Sequence, residues 1–359
     1  MITIIGAGPV GCYTGYLLAK AGEDVQIFEE HERIGVPVQC TGITTTALAE
    51  VIELRKDFIL NKLKGVRVFS KKGYAEIKSE EIVLDRERFD RYLAEKAMDE
   101  GVEIFLNHRF INKKSDLIEI KNKENNKTKN IRTDKLIGAD GPLSAVARAS
   151  KMYGKRDFYL GMQARVKIER GNFYEVFFGS ACPNFFAWIV PENDSVARVG
   201  LATKSYTKFY FSNFLNRMKT NKIMDKQAGL IPIFNPKNKI EKSNVYLVGD
   251  AAGQVKATTG GGIVPGLASA KILVDCVLNK KSYEKEFKKG VGRELSLNLK
   301  LRRVLNRFND RDYDYLIDLI NKKKVKDILN KYNRDYPSKL LFKLLINEPR
   351  FLYFIKRMF

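Results

Sequence analysis

Apolar and polar positions along the chain fall into three regimes. The first opens at residue 2, where the apolar run ITII is followed by GAGPVG, a helix-forming stretch as far as AGED, and a second apolar run, VQIF. The pattern predicts a strand, a glycine-rich turn, a helix and a second strand. HERIGVPVQCTG, with two glycines and a proline, predicts a loop. Residues 58–85 alternate as sheet does, DRERFDRYLAEKAMDEG predicts a capped helix closing at Gly101, and two short strands lead to the polar hairpin tip KNKENNKTKN. KLIGADGPLSAVAR predicts a strand that ends at Asp140-Gly141 and restarts as a helix.

The second regime, residues 152–202, is rich in aromatic and β-branched residues with turn signals at RGN, GSACPN and PEND, and predicts antiparallel sheet. The third begins at residue 244 with strand, acidic turn, glycine cluster and helix, and beyond residue 280 becomes helical and basic. No internal repeat is apparent. A chain of 359 residues exceeds the roughly 250–300 at which one core stops growing. The expected fold class is therefore α/β plus β: a Rossmann-like, discontinuous nucleotide-binding domain (1–63, 85–150 and 243–280), an antiparallel-sheet domain for substrate (64–84 and 151–242) and a C-terminal helical basic region (281–359).

Composition narrows the function classes. The chain is 44% hydrophobic and 11% aromatic, enough for a large core. It starts on a strand rather than on a signal-like segment, and no run nears the ~18 apolar residues of a membrane span, so a cytoplasmic, non-spanning protein is expected. Cysteines at 12, 40, 182 and 276 have no paired spacing and only His31 and His108 exist, so neither a metal site nor a histidine-based triad is expected. The formal charge of +22, about half of it beyond residue 279, points to an anionic partner. No nucleic-acid motif is present, which leaves an anionic membrane surface, with peripheral attachment, against a Lys- and Asn-rich composition that merely solvates helix faces.

Three separated segments share one logic, each placing glycines and a carboxylate at the end of a strand: Gly6 to Gly11, Gly138 to Gly141 with Asp140, and Gly249-Asp250 with Gly260 to Gly262. Gly6 makes the tight turn, Gly8 lets a pyrophosphate approach the backbone, Gly11 lets the helix pack, and Glu29 can take ribose hydroxyls. Asp250 can accept ribityl or ribose hydroxyls, and the triple glycine opens a helix whose N-terminus can face a flavin's carbonyl edge. Only one nucleotide fingerprint is present, so one dinucleotide is expected to stay bound.

This order of motifs resembles the flavoproteins built like para-hydroxybenzoate hydroxylase, through GxGxxG, DRERFD, GADGPLSAVAR and VGDAAG…TGGGI. The resemblance implies FAD held by Gly6, Gly8, Val10, Gly11, Glu29, Arg86, Asp140, Gly249, Asp250, Gly261, Gly262 and Ile263. PVQCTG and ACPNFFAWIVP narrow it to the geranylgeranyl reductase family, above all its archaeal lipid reductases. That family's PxxYxWxFP pattern stands here as Pro183, Phe186, Trp188 and Pro191, with Phe for the usual Tyr at 186, Val190 where Phe is common, and Ala257 where proline is typical. The implied activity is hydride transfer from reduced FAD to an isolated alkene of a geranylgeranyl lipid. An external electron donor, whether ferredoxin, reduced deazaflavin or NAD(P)H, would recharge the flavin.

A geranylgeranyl chain is long and wholly apolar, so its site needs a tunnel of aromatic and aliphatic side chains. Trp188, read alone, suits a core; with the resemblance it becomes a tunnel wall. The loop holding Cys40, Thr41 and Gly42 is implied to lie beside the flavin, where the Cys40 thiol can donate a proton, line the pocket or simply pack. The same fold also serves flavin-dependent monooxygenases and halogenases, whose WxWxIP pattern FAWIVP approaches but misses, and a related fold serves non-catalytic prenyl-binding carriers. Intact GADG and GGGI segments argue against a carrier.

Overall fold

A computed structural model describes residues 1–218, 222–332, 334, 335 and 337–355. The chain divides into two compact units, one of residues 1–38, 86–157 and 232–296, the other of residues 39–85, 158–231 and 297–359.

The first unit is built on a six-stranded sheet whose central strands are parallel. Ile2–Ile5 lies between Val25–Phe28 and Lys135–Gly138, and Lys135–Gly138 pairs in turn with Val245–Leu247. Ile2–Ile5 and Val25–Phe28 are buried throughout, which is why they read as unbroken apolar runs rather than as alternation. The helix Pro9–Lys20 follows the first strand, with proline in its first turn. It lies close on the sheet because a Cβ at Gly15 would stand 2.9 Å from Ile27 Cδ1. The helix Arg86–Asp99 buries Phe89, Leu93 and Ala97 along one stripe. A separate three-stranded sheet of His108–Lys114, Leu117–Asn122 and Thr128–Arg132 completes the unit, so the polar segment 121–130 is both hairpin tip and paired strand.

An eight-stranded mixed sheet forms the second unit. Asp157–Lys167, Val196–Thr203, Phe186–Pro191 and Phe173–Phe177 run antiparallel in that order, and Phe173–Phe177 pairs in parallel with Ile59–Phe69. One face is covered by the helix Thr207–Arg217, whose Phe211, Phe214 and Leu215 pack on Ala187, Ile189, Val199 and Leu201. Ile317 and Ile320 of the helix Asp310–Ile320 pack on Ala75. Beyond it lie the helices Lys323–Lys331 and Pro337–Asn347.

The observed units differ from the expected domains at several places, and residues 151–157, expected in the substrate sheet, cluster with the first unit. Residues 39–63 cluster with the second unit because Ile43–Thr45 and Ile59–Phe69 both pair with Tyr74–Leu84. Residues 232–242 join the first unit, where Glu241–Lys242 adds an edge to Val245–Leu247. The C-terminal helices are not a domain of their own: residues 281–296 belong to the first unit and those from Leu297 onward to the second. Residues 356–359, the end of the expected basic region, lie outside the described residues.

Candidate functional site

In the first unit the register aligns Ile5 with both Phe28 and Gly138, and Gly138 with Leu247. The three glycine–carboxylate turns, far apart in sequence, therefore emerge side by side from the carboxyl edge of one parallel sheet, where open α/β sheets bind their ligands. Gly6 has φ of +103° and passes so close to the second turn that a Cβ would stand 2.5 Å from the Ala139 carbonyl oxygen. A Cβ at Gly11 would stand 2.0 Å from the Gly6 carbonyl oxygen, whereas one at Gly8 meets nothing within 4 Å. Gly6 and Gly11 are required by packing, and Gly8 leaves open space.

The helices Pro9–Lys20 and Ile263–Leu278 both start at a glycine, Gly8 and Gly262, with no side-chain cap and no acidic residue in the first turn. They meet across Val10: Cβ atoms at Gly249 and Gly266 would lie 3.3 and 2.7 Å from its side chain. Two adjacent helix N-termini thus keep their positive ends and free N–H groups for a ligand. Val10 acts as the spacer that lets them approach, rather than as a polar contact.

The carboxylates around this edge have distinct tasks. Glu29 Oε2 accepts the Ala7 N–H at 2.7 Å and Oε1 the His31 N–H at 3.0 Å, so the residue braces the first turn while keeping lone pairs for hydroxyls. Asp140 is spent within the chain: Oδ1 accepts from the Ser144 hydroxyl at 2.6 Å and Oδ2 from the Val146 N–H at 3.0 Å, which fixes the start of the helix Ala145–Ala149. Burial nevertheless raises its carboxyl above the usual range. Asp250 lies against the glycine cluster, its Oδ1 2.9 Å from where a Cβ on Gly262 would stand. Burial pushes it up to about 6 against the opposing pull of Arg86. Arg86 itself is clamped by Asp90 through two hydrogen bonds of 3.0 and 2.9 Å.

Three residues of this edge escaped the motif reading. Arg156 donates to the carbonyls of Pro142 at 3.2 Å and Ala251 at 2.6 Å, stapling the second turn to the third. Gln254 accepts the Gly249 N–H at 2.7 Å and donates to the Tyr283 hydroxyl at 2.7 Å. Lys256 is buried, bonds through its backbone to Gly260 and Gly261, and lays its side chain where a Cβ on Gly261 would be 3.2 Å from Cε. The glycine cluster therefore has a lysine side chain beside it.

In the second unit the two segments that carried the resemblance are joined by a residue outside both. Gln163 Oε1 accepts from the Thr41 hydroxyl at 2.9 Å and from the Trp188 indole N–H at 3.3 Å, and its amide donates to Gln227 at 2.5 Å. Trp188 is 8% exposed and lies flat across Gly200, where a Cβ would stand 2.7 Å from the indole. It follows Phe186 (centroids 5.9 Å apart), which stacks on Phe185 (4.2 Å), which meets Tyr159 (4.6 Å). Beside this aromatic run is a buried ionic array. Glu192 accepts from Arg165 at 2.8 Å and from Arg198 at 2.5 Å, and Arg198 reaches on to the carbonyls of Thr41 and Leu84. Burial alone would raise the Glu192 carboxyl, but the two guanidinium groups hold it below the usual range.

Cys40 is half-buried and its sulfur accepts the Gly42 N–H at 3.3 Å, closing a turn that Gly42 enters with φ of +70°. Of the four aromatic-motif residues only Pro183 lines the open cleft of about 570 Å3 between residues 179–184 and 305–313; Phe186 is half-buried and Trp188 and Pro191 are buried in their strand. Among the described residues no cluster of His, Cys, Asp and Glu is arranged to hold a metal ion, and no helix is long and apolar enough to cross a membrane.

Residues 1–208 match the family of FAD binding domains, and the chain belongs to that family. FAD is its cofactor, and the open space at Gly8 and the uncapped N-terminus of the helix Pro9–Lys20 suit a pyrophosphate. Over 96% of its length the chain is 29% identical to digeranylgeranylglycerophospholipid reductase 3 of Methanosphaera stadtmanae, of which it covers 97%. Among solved structures it is similar to a geranylgeranyl bacteriochlorophyll reductase-like protein of Thermoplasma acidophilum, with a TM-score of 0.84 at 21% identity over 100% of this chain and 98% of that one. It is also similar to the flavin-dependent brominase Bmp2, with a TM-score of 0.73 at 15% identity over 97% and 99%. At these identities the two structures establish the fold alone.

Proposed function

We propose that the chain is an FAD-dependent reductase that saturates isoprenoid double bonds in the geranylgeranyl chains of a membrane lipid or its precursor. The substrate class is carried by the likeness to the Methanosphaera reductase over 96% of the chain, while of the packed rings Tyr159, Phe185, Phe186 and Trp188, with successive centroids 4.6, 4.2 and 5.9 Å apart, Phe186 is the one turned partly outward. A prenyl chain offers no polar group to grip, so it is held by apolar area, which rigid rings supply at low entropic cost. The name carried by the Methanosphaera relative supports the same reading.

Bound FAD supplies the hydride-donating chemistry. The chain's own residues bind and orient. Gly8 and the N-terminus of the helix Pro9–Lys20 take the pyrophosphate, the N-terminus of the helix Ile263–Leu278 faces the flavin's carbonyl edge, Glu29 and Asp250 accept sugar or ribityl hydroxyls, and Arg86 balances the buried charge of Asp250. Gln163 and Arg198 fix the Cys40–Gly42 turn, and the half-buried Phe186 offers the alkene an apolar contact that excludes water. Cys40 is assigned to the turn, as its Gly42 contact suggests. With a single nucleotide fingerprint in the chain, reducing equivalents come from an external donor such as a ferredoxin, a reduced deazaflavin or NAD(P)H. The lipid's location makes an anionic membrane surface the second partner.

The test is anaerobic. FAD-loaded protein, chemically reduced and mixed with a detergent-dispersed geranylgeranylated glycerolipid, should recover its oxidised flavin spectrum while the lipid gains hydrogen pairs by mass. Reoxidation only on admitting oxygen, with the lipid unchanged, hydroxylated or halogenated, overturns the reading. Cys40→Ser, which keeps an acceptor for the Gly42 N–H, should retain FAD and product; retained FAD without product would make the thiol the proton donor instead.

A further inference from the structure

The helix Pro337–Asn347 has an outward stripe with an unusual mixture of residues. Lys339, Phe342, Lys343, Ile346 and Asn347 are all exposed and follow one another at the three- and four-residue spacing of a single helix face. Phe342 is 63% exposed and Ile346 61%, while Leu344 and Pro337 on the other side are buried. The helix contains no acidic residue. The apolar exposure continues past it in Leu352 at 50% and Tyr353 at 44%. The preceding helix, Lys323–Lys331, brings Lys323, Lys324, Lys326 and Lys331. Glu348, which follows the helix, is paired with Arg350 at 2.5 Å and Lys322 at 3.5 Å.

Two large apolar side chains set between lysines on one exposed face differ from a solvated face, which would hold polar residues at 342 and 346. They differ also from a face meant for a second copy of this chain, because an interface core is depleted of lysine. They match a bilayer interface, where apolar side chains enter the acyl boundary and lysine stems lie along it with their ammonium groups at the phosphates. We infer that the helix Pro337–Asn347 is a membrane-docking element that lies in the surface of an anionic bilayer, with Phe342 and Ile346 inserted and Lys339 and Lys343 on lipid phosphates. The inference deepens the proposed function and rests on its membrane-lipid substrate, since a lipid whose chains lie in a bilayer has to be met at the surface.

The test is co-sedimentation of the FAD-loaded full chain with vesicles of phosphatidylcholine alone or mixed equally with phosphatidylglycerol. Wild type should bind the mixed vesicles at least ten-fold better, and salt should weaken that binding. F342S/I346S, with unchanged flavin spectrum and thermal unfolding, should lose most binding to the mixed vesicles. K339E/K343E should lose the preference for anionic lipid. Equal binding of both variants and wild type overturns the inference, as does a wild-type dimer in light scattering that F342S/I346S converts to monomer. Reduction of detergent-dispersed lipid separates the two ideas: a docking failure leaves that turnover intact, whereas failure of the reductase reading abolishes it and leaves vesicle binding as predicted.

Discussion

Trp188 and Thr41 share one acceptor: the indole N–H and the threonine hydroxyl both donate to Oε1 of Gln163. Gln163→Leu keeps the volume but leaves both donors without that partner, and an unmet buried donor costs about 1–3 kcal/mol. Urea unfolding of the FAD-loaded protein should show a loss of that size. Trp188→Ala should cost more, ~3–5 kcal/mol, because it also empties the space above Gly200, while Trp188→Phe should keep most of the stability and lose the bond to Gln163. A Trp188→Ala protein as stable as wild type would place the indole in an open pocket rather than in the packed sheet.

Gly8 and Gly11 belong to one motif and should behave as opposites. Gly11→Ala drives a Cβ against the Gly6 carbonyl and should prevent the turn from forming, with little soluble protein recovered. Gly8 has extended backbone and open space, so Gly8→Glu should fold with a normal circular dichroism spectrum yet purify colourless, its carboxylate repelling the pyrophosphate. A yellow Gly8→Glu protein would show that the open space serves something else.

Stability of the FAD-free protein should fall as pH rises from about 4 to 6. Burial holds the Asp250 carboxyl at about 6 in the folded chain, so the folded state keeps a proton that the unfolded state gives up near its ordinary value. That favours folding below the window and costs stability above it. Asp250→Asn removes the step and should be more stable than wild type at pH 7 by up to about 3 kcal/mol, with the gap closed by pH 4. Parallel urea midpoints across pH would rule this out.

Lys256 lies beside the glycine cluster, which opens a helix whose N-terminus can face a flavin's carbonyl edge. A cation there favours the reduced, more negative flavin, so Lys256→Met should make the midpoint potential of bound FAD more negative by on the order of 30 mV, equivalent to about 1.4 kcal/mol for two electrons. Spectroelectrochemistry would read the shift, and an unchanged potential would leave Lys256 as a packing residue of its loop.

Local chemistry explains which parts of this architecture were legible in the sequence. The strand, turn and helix at residues 2–20 declare themselves through a β-branched run, glycines and Pro9, each acting on its immediate neighbours. Three of the residues that were missed act at a distance: Arg156 on Ala251, Gln163 on Thr41 and Arg198 on Thr41 span 95, 122 and 157 residues. In sequence each is one polar residue within or beside an apolar strand, with nothing nearby to announce its partner. Residues 39–63 were set in the wrong unit for the same reason, since strand pairing with Tyr74–Leu84 decides their allegiance. Asp140 shows the converse, because a carboxylate at a strand end looks alike in sequence whether it faces a ligand or, as here with Ser144 and Val146, fixes the start of the next helix.

The side-by-side turns at the carboxyl edge impose an order on the birth of the protein. Ile2–Ile5 leaves the ribosome first, but Lys135–Gly138 must arrive before it has a neighbour on that side, and Val245–Leu247 later still. The stretches between include much of the second unit. A nascent chain cut off before residue 245 would own the glycine fingerprint without Asp250, Arg156's partner at Ala251 or the second helix N-terminus. FAD capture is thus reserved for chains extended past the third turn, and closing such distant strands is the slow part of folding. Yellow colour in a preparation consequently reports that the third turn has been made and joined to the first two.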